Sequence, residues 1–160
     1  MTIYYCDIEA DGFLEDATKV HCISWITNIG NKPLTITGDI KSFFSIPIPG
    51  DTLVWHNGTG YDLPLLKKLG IIDSYNFLTS QVNDKDIQLI DSLALSRFWW
   101  PENPKGHGLD AWANKLNTFK PEVDDWHNLP LEVYVDRCEN DVITTKKVFE
   151  FLADKMEVEL

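Results

Sequence analysis

Hydrophobic positions recur along this chain with two different periods, and the switches between them mark out the elements. Residues 2–8 (Thr-Ile-Tyr-Tyr-Cys-Asp-Ile) are rich in β-branched and aromatic side chains and are followed by the turn pair Asp11-Gly12, which predicts a strand. Comparable short runs predict strands near 20–27, 33–37, 52–55 and 87–90. Helices are expected near 39–45, 61–69, 92–98, 109–117 and 130–154. In the last of these, Leu131, Val135, Cys138, Val142, Phe149 and Leu152 recur at helical spacing. Three early strands followed by alternating strands and helices predict an α/β fold, a mixed sheet flanked by helices on both faces.

Four carboxylates stand at distinct places in this pattern. Asp7 and Glu9 lie two apart on the first strand, so they project to the same side. Two ionised carboxylates that close repel each other, yet they suit bridging hard cations, which prefer oxygen ligands. A plain polar strand end would read the same way. Asp62 follows the apolar run Thr52-Leu53-Val54-Trp55 and the loop His56-Asn57-Gly58-Thr59-Gly60. It opens a helix that tolerates Pro64 in its first turn and stops at Gly70, and an acid there also suits the helix dipole. Asp141 falls mid-helix beside the apolar stripe, where Asp is a poor helix former. Arg137, four residues earlier on the same face, makes an ordinary ion pair the alternative reading. Four converging carboxylates need divalent cations to offset their repulsion, and two-metal phosphodiester hydrolysis uses such a cluster.

The surrounding segments extend the pattern. They are Asp7-Ile8-Glu9, then His56-Asn57-Gly58 through Tyr61-Asp62-Leu63-Pro64, then Ile90-Asp91-Ser92-Leu93-Ala94-Leu95-Ser96-Arg97, then Gly106-His107-Gly108-Leu109-Asp110-Ala111-Trp112, and last Asp141. In this order, over about residues 3–152, the chain resembles the DEDD superfamily of 3′→5′ exonucleases. It looks most similar to the proofreading domain of phage family A (pol I-like) DNA polymerases. The resemblance implies a ribonuclease-H-like fold and a single exonuclease domain over residues 1–160. It implies that Asp7, Glu9, Asp62 and Asp141 hold two divalent ions, Mg2+ or Mn2+. Asp7 would bridge both, Glu9 and Asp141 would serve the nucleophile side, and Asp62 the other ion, partly through water. One ion would lower the pKa of the attacking water and the other would steady the leaving 3′ oxygen. His56, Asn57, Tyr61 and Asp91 are expected to bind substrate, and Phe13 and Leu14 to form an apolar wedge against the terminal bases.

The chain departs from the family at one place. The superfamily carries a helper Tyr four residues before the last Asp, or a His five before it, and here Arg137 and Asp136 stand there. With a pKa above about 12, arginine cannot accept a proton. Arg137 is placed among the catalytic residues as a group that binds the scissile phosphate or offsets developing charge. Tyr134, His107 and His127 are the alternatives for orienting water.

Charge and composition narrow the partners. With 14 Lys and Arg against 25 Asp and Glu, the net charge of −11 argues against a high-affinity nucleic-acid binder. Weak, salt-sensitive binding of a single-stranded DNA 3′ end is expected, with a DNA polymerase subunit or other replication protein to deliver it. Lys67, Lys68, Lys105, Lys115 and Lys120 read as a local positive rim or as solvated charges. Trp99, Trp100 and Trp112 are candidates for base stacking, whereas Trp25 and Trp55 fall in strand-like runs and read as core. Cys6, Cys22 and Cys138 read as core thiols of a cytosolic protein. No apolar run reaches the length of about 18 residues that a membrane helix needs, so no membrane partner is expected. The N-terminus lacks a basic region followed by an apolar core, and chemistry at residue 7 leaves no room for a removable leader. The function expected is metal-dependent removal of nucleoside monophosphates from DNA 3′ ends, in proofreading or end processing of phage-type replication, in the cytoplasm (the host's, if phage-encoded). An RNA 3′ exonuclease or oligoribonuclease of the same superfamily, and a catalytically weakened accessory subunit, are the alternatives.

Overall fold

The computed structural model describes residues 1–123, 125 and 128–157, so His127 lies outside the described residues. Five strands form the main sheet: β1 (Ile3–Ala10), β2 (Val20–Thr27), β3 (Leu34–Thr37), β4 (Thr52–Trp55) and, later in the chain, β8 (Gln88–Asp91). Their order is β3-β2-β1-β4-β8. β2 runs antiparallel to β1 and to β3, while β4 runs parallel to both β1 and β8. The sheet is therefore mixed, with β1 at its centre. The helices are α1 (Asp62–Lys68), α2 (Ser92–Trp99), α3 (Leu109–Leu116) and the 25-residue α4 (Leu131–Lys155).

Strand parity explains the layers. On β1 the even positions Tyr4, Cys6 and Ile8 join Phe43, Leu53 and the buried leucines of α1 in one core. The odd positions Ile3 and Tyr5 join Val54, Val142 and Phe149 on the other side. Successive side chains on a strand point to opposite faces, so Asp7 and Glu9 share the side of Ile3 and Tyr5, the side covered by α4. α4 packs across β1 and β2. The Cys138 thiol donates to the Asp7 carbonyl at 3.2 Å, and Lys146 Nζ donates to the carbonyls of Thr27, Asn28 and Gly30. All three cysteines are buried and free, as the sequence suggested, and Trp25 and Trp55 are core.

Three features differ from the sequence expectations. Residues Ile40–Ser45 form a 3-10 helix rather than an α-helix, and of its three buried residues Ile40 and Phe43 sit at the spacing of three that this tighter helix favours, with Phe44 beside them. A small antiparallel sheet of β5 (Tyr75–Asn76), β6 (Gln81–Val82) and β7 (Lys85–Asp86) fills a stretch to which the sequence pattern assigns no element. Asn83 and Asp84, at φ 49° and 61°, make the tight turn joining its last two strands, as Asn and Asp do most readily among residues with a side chain. Trp112, a candidate for base stacking, is 1 % exposed, and its indole N–H donates to Ser96 Oγ at 3.0 Å. Burial in the α2–α3–α4 junction removes it from any substrate surface. Trp99 and Trp100 pack edge-on to each other, and Trp99 does the same with Phe151, as a local core under the loop. Among the described residues no helix is long and apolar enough to cross a membrane.

Candidate active site

Parity brings Asp7 and Glu9 under α4, and α4 supplies the third carboxylate. One carboxylate oxygen each from Asp7, Glu9 and Asp141 lie within 4.8 Å of one another. Asp62, at the N-terminus of α1, is 4 % exposed and borders this group closely enough to push the Asp7 and Glu9 carboxyls up. Burial is the largest cause of every shift here. It raises Asp7 well above the carboxylate range, reinforced by Asp141, Asp62 and Glu9. Glu9 is pushed up to about 8 by burial and Asp141, with Arg137 pulling the other way. Asp62 rises to about 7 through burial, against the pull of the backbone N–H groups of Asp62 itself and Ile8. Asp141 is raised by burial, while Lys120 and Arg137 oppose the shift.

Two oxygens of the cluster, Asp7 Oδ2 and Asp141 Oδ1, are buried without a hydrogen-bond partner. Buried acceptors normally find donors. Unsatisfied carboxylate oxygens that converge among mutually repelling acids are the donor set of a hard divalent cation, so the residues present fit such an ion.

The loop before Asp62 is fixed from beneath. Asp91 accepts from the backbone N–H groups of Asn57, Thr59 and Leu93 and from the Thr59 hydroxyl, at 2.7–3.1 Å. It is buried, and in this structure it holds the loop and caps α2. His56 Nε2 donates to the His107 carbonyl at 2.8 Å, which leaves Nδ1 to accept from Ser92 Oγ at 2.8 Å. Burial lowers His56 to about 4, so the ring is neutral. Asn57 is exposed, with φ 67°. Gly58 is required by close packing, since a Cβ there would lie 2.4 Å from Trp55 Cβ.

The segment after Glu9 is held against α1. Tyr61 donates its hydroxyl to the Gly12 carbonyl at 2.6 Å, and Lys68 Nζ donates to the carbonyls of Leu14, Glu15 and Ala17. Of the expected wedge pair, Phe13 is 83 % exposed, while Leu14 turns inward against the core.

The helper candidates separate. Arg137 Nη1 donates to the Pro121 carbonyl at 2.6 Å, and Nε lies 3.6 Å from Glu9 Oε1. The ion pair across the site thus runs from Arg137 to Glu9, on another element, beside the i,i+4 neighbour Asp141. Tyr134 is 4 % exposed and stacks on His21 at 4.1 Å, packed with Cys22 and Cys138. His107 Nδ1 pairs with Ser96 Oγ at 2.7 Å, away from the carboxylates. Of the five lysines read as a positive rim or as solvated charges, Lys120 reaches the cluster, its Nζ 2.7 Å from Asp110 Oδ1 and 3.6 Å from Asp141 Oδ1. Nothing in the sequence set it apart from the other four. Only the chain path after α3 brings it here.

No family model matches the chain. It is 29 % identical, over 93 % of its length, to the DNA-directed DNA polymerases of Escherichia phage T7 and of Enterobacteria phage T3, and it spans 26 % of each of those relatives. Among solved structures, it superposes on a family B DNA polymerase from the archaeon Pyrobaculum calidifontis with a TM-score of 0.63 at 16 % identity, covering 98 % of this chain and 24 % of that one. Phi29 DNA polymerase complexed with single-stranded DNA gives 0.62 at 13 % identity, over 99 % of this chain and 32 % of the other. Exonuclease X in complex with 5′ overhanging duplex DNA gives 0.58 at 11 % identity, covering 98 % and 94 %. The chain is thus similar in sequence to one part of the phage T7 and T3 DNA polymerases, and it shares its mixed α/β, ribonuclease-H-like fold with Exonuclease X and with part of phi29 DNA polymerase.

Proposed function

We propose that this chain is a divalent-metal-dependent 3′→5′ exonuclease that removes nucleoside monophosphates from single-stranded DNA 3′ ends. The observation that carries the reading is the convergence of Asp7, Glu9 and Asp141 within 4.8 Å, with buried, unsatisfied oxygens on Asp7 and Asp141. Homology to DNA polymerases supports DNA as substrate and a proofreading or end-processing role beside a polymerase. The buried free thiols accord with a reducing, cytoplasmic setting.

Asp7, Glu9 and Asp141 would hold the ions, with Asp62 completing the set from α1. Two bound Mg2+ or Mn2+ ions would supply an activated water and stabilise the leaving oxygen. The chain's own groups supply position and charge. The loop pinned by Asp91 and His56 fixes Asp62, and Phe13 offers an exposed face to the terminal base. Asn57 belongs to the same loop, and Tyr61 follows it at the start of α1. Arg137 offsets negative charge at Glu9 and cannot serve as a proton acceptor. A 5′-labelled DNA oligonucleotide should shorten stepwise from its 3′ end with Mg2+ and stay intact in EDTA, and an RNA strand of the same sequence measures sugar preference. Internal cuts, or cleavage undiminished in EDTA, rule the reading out.

A further inference from the structure

We propose that Lys120 is a phosphate-binding residue of the substrate groove, set into the acidic site by a fastened strap; the inference rests on the exonuclease reading above. Residues 117–121 form that strap. Asn117, at φ 54°, ends α3 in the left-handed conformation, and the Thr118 N–H donates to the Ala113 carbonyl at 2.9 Å. Thr118 Oγ1 pairs with Thr144 Oγ1 of α4 at 2.8 Å, and the Pro121 carbonyl accepts from Arg137. Lys120 sits between these two anchors, its side chain only 18 % exposed.

An ammonium has three donors. Asp110 Oδ1 takes one at 2.7 Å, and Asp141 at 3.6 Å lies beyond a good hydrogen bond. Lys120 also lines a groove of about 660 Å3, shared with Asp110, Asn114, Phe119, Val123 and Arg137. Phe119, next along the strap, is 68 % exposed. A cation for the backbone beside an exposed ring for a base is the pairing by which single strands are held without sequence preference. On a chain of net charge −11 the long-range field repels a phosphate, so a local cation beside the carboxylates is what lets one approach. Asp110 orients the ammonium, because its own carboxylate is mostly exposed while the lysine is not.

The test is the salt dependence of binding, read with a fluorescent single-stranded DNA oligonucleotide in Ca2+ and confirmed uncleaved on a gel. Each phosphate contact on a single strand contributes about 0.7 to the slope of log K against log salt. Lys120→Met should lower the wild-type slope by about 0.7 at an unchanged melting temperature, and Lys120→Arg should restore it. Lys120→Gln replaces the methionine variant if that protein fails to fold. A neutral variant with the wild-type slope overturns the assignment of Lys120 while leaving the exonuclease reading intact. If wild type does not bind the oligonucleotide at all, the exonuclease reading falls and takes this inference with it.

Discussion

The metal-free protein should lose stability as the pH rises through neutrality, opposite to ordinary acid unfolding, and Glu9 allows the magnitude to be worked out. Its folded pKa is raised from 4.5 to about 8. A raised folded pKa means that the folded state holds a proton the unfolded chain releases, so the stabilisation is complete below about 4.5 and lost as the pH rises through 8. His56 acts in the other direction, because its pKa is lowered from 6.5 to about 4 and protonation favours unfolding in that interval. Above pH 6.5 His56 is neutral in both states and drops out. Asp11, lowered to about 2, changes only in acid. Between pH 6.5 and 8, therefore, Glu9 alone costs ~1.4 kcal/mol per pH unit, or about 2 kcal/mol in all. Asp7, raised further still, adds in the same direction. For a chain of this size that is a fall in melting temperature of roughly 4–8 °C. The assay is thermal unfolding in EDTA across this range, repeated with saturating Mg2+, which binds the ionised carboxylates and should abolish the fall. Glu9→Gln should remove about one proton's worth of the slope. A metal-free melting temperature that stays flat or rises from pH 6.5 to 8 refutes the argument.

Other perturbations separate chemistry from scaffold. Asp7→Ala should abolish exonuclease activity in a labelled-oligonucleotide assay without lowering metal-free stability, because it relieves like-charge repulsion; equal activity of mutant and wild type across Mg2+ concentrations would exclude Asp7 from the site. Arg137→Ala should lower the maximal rate roughly ten- to a thousandfold, the cost of losing one charge-stabilising donor, while metal affinity holds or rises; a rate within a fewfold of wild type would reduce Arg137 to an anchor for the Pro121 carbonyl. Lys68→Met frees three carbonyls of the segment carrying Phe13, so proteolytic nicking within residues 11–19 should rise, and unchanged nicking would show that Tyr61 suffices. Gly58→Ala should destabilise by about 1–3 kcal/mol through overpacking on Trp55, measured by urea unfolding.

Strand parity and helical period made the main sheet and four of the helices legible, because both patterns reflect burial on one face. The pairing of Asp7 with Glu9 followed from the same two-residue period, and the three thiols followed from their apolar neighbours. What stayed hidden depends on tertiary path. The spacing of Ile40, Phe43 and Phe44 suits a 3-10 turn as well as an α-helix. Two-residue strands such as Gln81–Val82 carry too few positions to show alternation. Trp112 could be read as exposed or buried until Ser96 was seen to accept its N–H. For Arg137 the alternative reading was an ion pair with Asp141 along its own helix, yet its ion pair runs to Glu9 on the strand beneath. Spacing could not single out Lys120 among the five candidate lysines, since Asp110 and Asp141 reach it from different helices.

The carboxylate site draws its members from segments far apart in sequence, with the Cys138 thiol meeting the Asp7 carbonyl across 131 positions. β1 precedes α4 in the chain, so a ribosome-bound chain that has not yet made α4 carries Asp7, Glu9 and Asp62 without Asp141. Such a chain also lacks the helix that covers those acids. If the carboxylates hold ions as proposed, α4 is the element that completes their site, and a chain stopped before it would have no nuclease activity.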